Sequence, residues 1–438
     1  MYARSIAMYG FKCFGKTQVD LHYPGRSAFI APAQATPRYP NINLILGDNG
    51  GGKSSVLRAI AIAALAPAIK NAGFVPYRLV RRDSSGTAVD GSFLKLLGIF
   101  DSYELNTEAV DVTDGGKQRG TEERPKDFLA KLKSYPKRQI DELSLESTPE
   151  NPISELIFDD SSPAFFVVGY GATRRIESGN FSTSGEDRRR GRRYQRVASL
   201  FEDHVSLRPL QSWFPMLPVE RQAEVIALIN KAMPDNLRFQ GVMEDDDYIF
   251  EFDGIPTPLP ALSDGYKAFV GWVSDLIGHM ASVAGTGPLQ IQSGIVLIDE
   301  IDLHLHPAWQ RDVIAKLAET FPALQFVMTS HSPLVAAAVQ STNVVVTGAG
   351  DDGLPTLERM DESLFGRGVE AVLLSPYFGL DSARPLPARR ETSELAARVS
   401  QKQGGDVNAA EEFLRRLAEP IKKLEDGKQQ EGASDDPL

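Results

Sequence analysis

An eight-residue loop, Gly47-Asp48-Asn49-Gly50-Gly51-Gly52-Lys53-Ser54, constrains this chain more than any other segment. It satisfies G-x-x-x-x-G-K-[ST] at every fixed position. A β-prone run, NINLIL (41–46), precedes it. An Ala-, Ile- and Leu-rich run (54–69) follows and reads as a helix ending near Pro67. Glycines at a strand-to-helix turn let backbone N–H groups face inward and cradle phosphate oxygens without side-chain clashes. The helix N-terminus adds partial positive charge. In that setting Lys53 reaches the outer phosphates, the Ser54 hydroxyl coordinates Mg²⁺, and Ser55 completes the nucleotide-binding set. A glycine-rich turn without function is the alternative, and the flanking strand and helix weigh against it.

The rest of the chain supplies the strands and helices that such a loop needs. The opening residues alternate as a β-hairpin, ARSIAMYG then KTQVDL, turning near residues 10–15. Further β-type runs are AFFVV (164–168), YIFEF (248–252) and residues 294–298, 325–329 and 343–347. Residues 264–284 and 309–320 read as helices. Strand–helix–strand alternation argues for a mostly parallel sheet covered by helices. At roughly 150 residues per domain, 438 residues allow two or three folding units. We divide the chain into a first core part with the phosphate loop (1–70), an insertion (71–162), a core strand with an arginine-rich loop and helical lobe (163–254), a second core part (255–350) and a C-terminal helical module with a disordered tail (351–438). Two amphipathic helices are expected in that module, at 391–403 and 407–424.

Composition excludes several classes. One cysteine, Cys13, excludes an intrachain disulfide and a cysteine-based zinc site, and fits a cytoplasmic setting. No apolar run reaches the roughly 18 residues of a membrane span. With 47 basic against 58 acidic residues the net charge is −11, which disfavours nucleic acid as a general partner. The exception is local: eight arginines against three acidic residues lie between Arg174 and Arg196. The stretch from Arg188 to Arg196 reads as a mobile basic loop able to meet nucleic-acid phosphates.

Three further signals bear on the same chemistry. The aliphatic run 294–298 ends in Asp299-Glu300, and neighbouring residues at a strand end point to opposite sides. Asp299 is assigned to Mg²⁺ and Glu300 to the general base or water-positioning group. His331, in Ser330-His331-Ser332 after the next strand, is placed to contact the γ-phosphate. Leu262-Ser263-Asp264-Gly265-Tyr266-Lys267 opens a helix, where Ser263 and Gly265 offer a hydroxyl and backbone donors. His304 and His306, two residues apart, are weighed as a metal pair and read instead as structural.

Taken in order, these elements resemble the ATP-binding-cassette ATPases of the SMC/RecF/OLD type. Residues 47–54 resemble their Walker A loop, 295–300 Walker B, and 262–267 the LSDGY(R/K) signature. Residues 302–307 (DLHLHP) resemble the D-loop and His331 the switch histidine. The chain is also similar to bacterial ATPases of Septu and retron anti-phage defence systems. The resemblance implies an α/β ABC-ATPase head: a P-loop NTPase with a mixed, mostly parallel sheet, flanking helices, an N-terminal antiparallel β subdomain and a helical insertion. It implies ATP and Mg²⁺ as cofactors and hydrolysis of ATP to ADP and phosphate, slow turnover included. It also implies a homodimer in which two heads sandwich ATP head-to-tail, with Ser263 and Gly265 acting in trans. Two departures stand out: the interval before the signature lacks coiled-coil heptads, and no glutamine-bearing Q-loop is found. GYGATRR (169–175) lies where a Q-loop would fall, so Arg174 or Arg175 is expected to sense nucleotide. The resulting expectation is a cytoplasmic ATPase that controls a protein effector such as a nuclease in anti-phage defence. The alternative is a RecF-like repair ATPase acting directly on DNA.

Overall fold

The computed structural model describes residues 1–25, 37–101, 123–135, 138–146, 156–160, 162–176, 190–350 and 352–380. The expected helices at 391–403 and 407–424 and the tail lie outside them. The chain divides into two units, Met1–Val372 and Leu373–Leu438. The first carries both sheets described here.

The N-terminal hairpin forms as expected, β1 (Tyr2–Phe11) against β2 (Phe14–Asp20). β3 (Ile42–Gly47) leads into the loop and α1 (Lys53–Asn71). This helix does not end at Pro67; it runs through it to Asn71. Proline in a helix interior removes one hydrogen bond and costs about 3 kcal/mol. Twelve residues of α1, Lys53 among them, are buried, and that packing overrides the local preference.

The helical insertion expected at 71–162 is not what forms. Its described residues carry β4 (Phe93–Asp101), β5 (Glu123–Lys133) and β6 (Glu142–Glu146). These extend the hairpin into a five-stranded antiparallel sheet, β2-β1-β4-β5-β6. The cause is visible in β5, where Ala130 and Leu132 turn into the core while Lys131 and Lys133 stay out. That is the period-two alternation of a sheet with one wet face. Phe128 and Phe165 meet edge to face at 5.9 Å, tying β5 to the segment just before β7 (Val167–Tyr170).

Downstream come β8 (Arg175–Ile176), the short helix α2 (Arg192–Gln195), β9 (Ser206–Leu207), α3 (Val219–Ala232), a small β-meander of β10 (Leu237–Glu244), β11 (Asp247–Phe252) and β12 (Ile255–Pro258), and α4 (Asp264–Ala281). Then follow β13 (Gly294–Ile298), α5 (Pro307–Thr320), β14 (Leu324–Thr329), α6 (Pro333–Ala337), β15 (Val344–Ala349), β16 (Pro355–Glu358) and α7 (Val369–Leu373). The main sheet has the order β16-β15-β3-β14-β13-β7. All neighbours are parallel except β15 and β16. This is the expected mixed, mostly parallel sheet. Its central strands are buried along their whole length, Ile295, Val296, Leu297 and Ile298 at 0% exposure, as sheets covered on both faces require.

Candidate phosphate-loop site

Parallel strands end together, so the loops after β3, β13 and β14 gather at one edge of the sheet, where open α/β sheets bind ligands. A cleft of about 560 Å³ lies there. It is lined by Asn49, Gly50, Gly52, Lys53, Ser54 and Ser55 from the glycine loop, by Asp299 and Glu300 from the end of β13, and by His331 after β14. The sequence placed all of these in one site, and the fold brings them together.

The loop needs its glycines. Gly47, Gly50 and Gly52 have φ of +136°, +81° and +93°. A Cβ on Gly47 would stand 2.0 Å from Thr347 Oγ1, and one on Gly52 would stand 2.5 Å from Cys13 Sγ. Gly52 offers no side-chain cap to α1, and no acidic residue occupies the first turn. The first N–H groups of the helix are therefore left for an anion. Lys53 is 6% exposed, and its Nζ donates to the carbonyls of Gly47 and Asp48, each at 2.8 Å. Burial pulls its ammonium below the usual lysine range, and Asp299 and Asp48 oppose that shift. An ammonium held by two carbonyls is poised to exchange them for phosphate oxygens.

Asp299 and Glu300 are positioned by residues that carry no motif. Thr329, the last residue of β14, donates from Oγ1 to Asp299 Oδ1 at 2.6 Å and accepts from the Glu300 N–H at 2.8 Å. One hydroxyl thus bridges both. Glu300 sits at φ +51°, in the left-handed region that a non-glycine residue enters at a cost. Arg174 braces this turn from behind: its Nη2 donates to the carbonyls of both Asp299 and Glu300, and its Nε to Gly171 O at 3.2 Å. Burial lowers its guanidinium to about 10, which leaves it cationic at neutral pH. Arg174 is not among the residues lining the cleft; its observed contacts brace the backbone of the Asp299–Glu300 turn.

Asp299 and Ser54 offer oxygen donors, the ligand type of a hard cation such as Mg²⁺. Among the described residues no group of three His, Cys, Asp or Glu side chains forms a protein-only metal cage. A pair of oxygens beside a phosphate cradle fits Mg²⁺, which keeps few protein ligands and takes the rest from phosphate and water. His306 caps α5, its Nδ1 accepting from the Ala308 N–H at 3.3 Å, in line with a structural role. His331 is exposed, and its N–H donates to Asp302 Oδ1 at 3.3 Å.

Ser263 and Gly265 do not line the cleft. Ser263 is exposed at the N-terminus of α4. Gly265 packs against the D-loop so closely that a Cβ would lie 2.4 Å from His304 O. Lys12, Cys13, Arg78, Val80 and Arg82 do line it and were not foreseen. They come from the hairpin turn and from residues 71–162, where no spacing marks them. Arg82 is fixed by Asp141 at 2.9 Å, whose own carboxylate is buried, and Arg78 is exposed.

The basic loop is corrected in its described part. Arg193 is 2% exposed and donates to the carbonyls of Phe165, at 2.7 Å, and Leu156, at 2.9 Å, as well as Asp159 and Ser162. Arg190 pairs with Glu202. Arg196 is also 2% exposed. Arg193 and Arg196 are buried and Arg190 is half-buried and paired, so they present no exposed basic face; Arg192 is the exposed one. Arg188 and Arg189 lie outside the described residues.

Residues 42–337 match the family described as "AAA domain, putative AbiEii toxin, Type IV TA system", which is more than half of the chain. The chain belongs to this family of AAA-domain proteins. It is 25% identical over 384 residues to the Septu protein PtuA of Bacillus mycoides (strain KBAB4), covering 88% of this chain and 46% of that protein. It is 45% identical over 87 residues to the Retron Vc95 probable ATPase of Vibrio cholerae serotype O1 biovar El Tor, covering 19% of this chain and 17% of that protein. The Retron Ec83 probable ATPase of Escherichia coli is 38% identical over 100 residues, 22% of this chain and 18% of that protein. The chain thus spans less than half the length of each of these relatives. Among solved structures, an SmcHead bound to the C-winged helix domain of ScpA gives a TM-score of 0.47 at 16% identity, covering 82% of this chain and 98% of that one. The SMC head domain from Thermotoga maritima gives 0.43 at 14% identity, covering 83% and 100%. No helix among the described residues is long and apolar enough to cross a membrane.

Proposed function

We propose that this AAA-domain protein binds and hydrolyses ATP, and that its ATP state controls a protein effector in anti-phage defence. The observation that carries the first part is the convergence of the glycine loop, Lys53, Ser54, Asp299, Glu300 and His331 on one cleft. Lys53 and the first N–H groups of α1 bind the phosphates. Ser54 and Asp299 hold Mg²⁺, which when bound neutralises charge on the phosphates. Glu300 accepts a proton from the attacking water and orients it, and His331 sits at the γ-phosphate end. Thr329 and Arg174 keep the two carboxylates in register.

The heads pair head-to-tail, and each signature completes the partner's site. Support comes from Ser263, exposed at a helix N-terminus and absent from the lining of its own cleft. A nuclease or similar effector is inferred from the likeness to the Septu protein and retron ATPases, and no nuclease motif stands in the sequence. The RecF-like alternative loses support, because the described arginines of the basic segment are largely engaged in the interior.

Steady-state hydrolysis and mass in solution test this reading. Glu300→Gln should bind ATP, turn over slowly and accumulate as an ATP-dependent dimer without DNA. Lys53→Ala should lose ATP binding. Normal turnover by Glu300→Gln would remove the assigned base, and dimerisation that appears only with duplex DNA would restore the repair reading.

A further inference from the structure

A second cavity, of about 490 Å³, lies away from the glycine loop. Its walls are the end of β7 (Gly169, Tyr170), the segment from Arg190 through α2 to Ser199, residues 204–208, and one side of α4 (Asp275, His279, Ser282). Its size is in the range of small-molecule sites, and its charge is lopsided. Arg190, Arg192, Arg196 and Arg208 line it, against a single carboxylate, Asp275.

That carboxylate is already engaged. Asp275 accepts from Tyr170 OH at 2.8 Å and from the Arg208 N–H at 2.9 Å, and its Oδ2 lies 3.3 Å from His279 Nε2. Burial lowers the His279 imidazole below its ordinary range, so it stays neutral and donates from Nε2 to Asp275. Glu202, outside the lining, accepts from Arg190 at 2.7 Å and from Tyr194.

Arg196 is left over. Its guanidinium lies 5.3 Å from the Phe166 ring centroid, and Nη2 reaches Ser282 Oγ only at 3.5 Å. Nε and Nη1 are buried and have no hydrogen-bond partner among the described residues. Burial lowers Arg196 to about 10, so it remains a cation. Asp160 offsets part of the cost of burying that charge, and unmet buried donors are rare in native proteins. An anion in the cavity compensates the charge of Arg196, which lines it.

We propose that this cavity is a second anion site, which takes a phosphate-bearing small molecule of up to nucleotide size, with Arg196 as the deep contact and Arg208 and Arg192 as further cations. Its position gives the ligand influence. Tyr170 ends the strand whose following turn carries Arg174, the brace on Asp299 and Glu300. Asp275 and His279 belong to the helix that opens at Ser263. A ligand here touches the elements that lead to both the carboxylates and the signature.

The test uses the full chain carrying Lys53→Ala, so that the glycine loop no longer binds phosphate. Thermal unfolding is followed against inorganic phosphate, pyrophosphate and AMP, with chloride at matched ionic strength as the control. A ligand that binds the folded state raises the unfolding temperature saturably. We expect saturable stabilisation by at least one of the three. A stronger effect of AMP than of pyrophosphate identifies a nucleotide ligand; the reverse identifies free phosphates. Adding Arg192→Gln, an exposed position that spares the fold, should weaken the apparent affinity about tenfold, the scale of one charge-assisted contact. Arg196→Met should abolish binding. No saturable stabilisation of Lys53→Ala, or one unchanged by both Arg192→Gln and Arg196→Met, overturns the proposal. Because Lys53 is already removed, that result leaves the reading of the ATP site standing; ATP binding by the unsubstituted chain, measured in parallel, tests that reading separately.

Discussion

Thr329→Val isolates the least visible part of the site. Valine keeps the shape of threonine and removes the hydroxyl that joins Asp299 Oδ1, at 2.6 Å, to the Glu300 N–H, at 2.8 Å. Two losses follow. The bond to a carboxylate is charge-assisted, and removing such a bond costs about 1.5–3 kcal/mol. The Glu300 N–H then lacks its acceptor, and an unsatisfied buried donor costs about 1–3 kcal/mol more. The sum lies at about 2.5–6 kcal/mol before relaxation. Part of it is recovered, because Glu300 stands at φ +51° and its release from a strained conformation returns about 1–3 kcal/mol. The net expectation is a loss of about 2 kcal/mol in chemical denaturation.

That relaxation is what harms catalysis. Once Glu300 leaves its constrained position, the carboxylate no longer holds the water in line. We expect kcat to fall by about tenfold to a hundredfold, the equivalent of about 1.4–2.7 kcal/mol of transition-state positioning. Lys53 and the loop amides are untouched, so ATP binding in the presence of EDTA should stay within about twofold, the scale of a few tenths of a kcal/mol. The assays are phosphate release under saturating ATP, equilibrium binding of a fluorescent ATP analogue, and urea denaturation of the same preparation. Thr329→Ser, which restores the hydroxyl, should recover most of the turnover. If Thr329→Val kept wild-type kcat, or if Thr329→Ser were as impaired as valine, the bridging hydroxyl would not be what positions Glu300.

Other substitutions probe separate links. Gly265→Ala would press a Cβ to 2.4 Å from His304 O; it should spare ATP binding to a single head yet weaken the ATP-dependent dimer at least tenfold in sedimentation, or about 1.4 kcal/mol. Gly47→Ala combines φ +136° with a 2.0 Å clash on Thr347, and should abolish nucleotide binding and lower the unfolding midpoint. Pro67→Ala should stabilise the chain by about 1 kcal/mol or more in denaturation, since the helix already runs through that position and proline costs about 3 kcal/mol in an interior. Burial depresses His279, so the unfolded chain binds a proton there more readily than the folded one; stability should fall as pH drops through about 6.5, the unfolded imidazole value. His279→Asn should flatten that part of the stability profile.

The glycine loop, the aspartate–glutamate pair and the histidine were legible because each combines residue type with a fixed place after a β-type run. What escaped was of two kinds. The antiparallel sheet was hidden because β5 reads ERPKDFLAKLK, with charges on the wet face and only Phe128, Ala130 and Leu132 marking the inner one. Short alternations amid charge and proline carry little periodic signal. The fates of Arg193 and Arg196 were hidden because burial of an arginine depends on carbonyls and cavities that only the fold assembles. Four backbone oxygens from residues 156–165 converge on Arg193, and no spacing in the sequence announces them.

The order of the sheet explains how so few motif residues suffice. β3, β14, β13 and β7 are parallel neighbours in space, while the residues they end in lie as far apart along the chain as Gly47 and Thr329. Because all four strands point the same way, every strand end falls on one edge. β3 delivers the glycine loop, β14 the Thr329 hydroxyl and His331, β13 the two carboxylates, and β7 the turn with Arg174. The register fixes the vertical fit: Ile298 stands beside Met328 and Tyr170, so the next residues, Asp299 and Thr329, emerge level with each other. The Asp299 N–H closes the row by donating to Tyr170 O at 2.8 Å. A one-residue slip of β14 against β13 would turn Thr329 to the opposite face and break the bridge. The parallel register is therefore what places the Thr329 hydroxyl against Asp299 and the backbone of Glu300, and Arg174, in the turn after the adjoining strand, supplies the cation that keeps the strained turn in place.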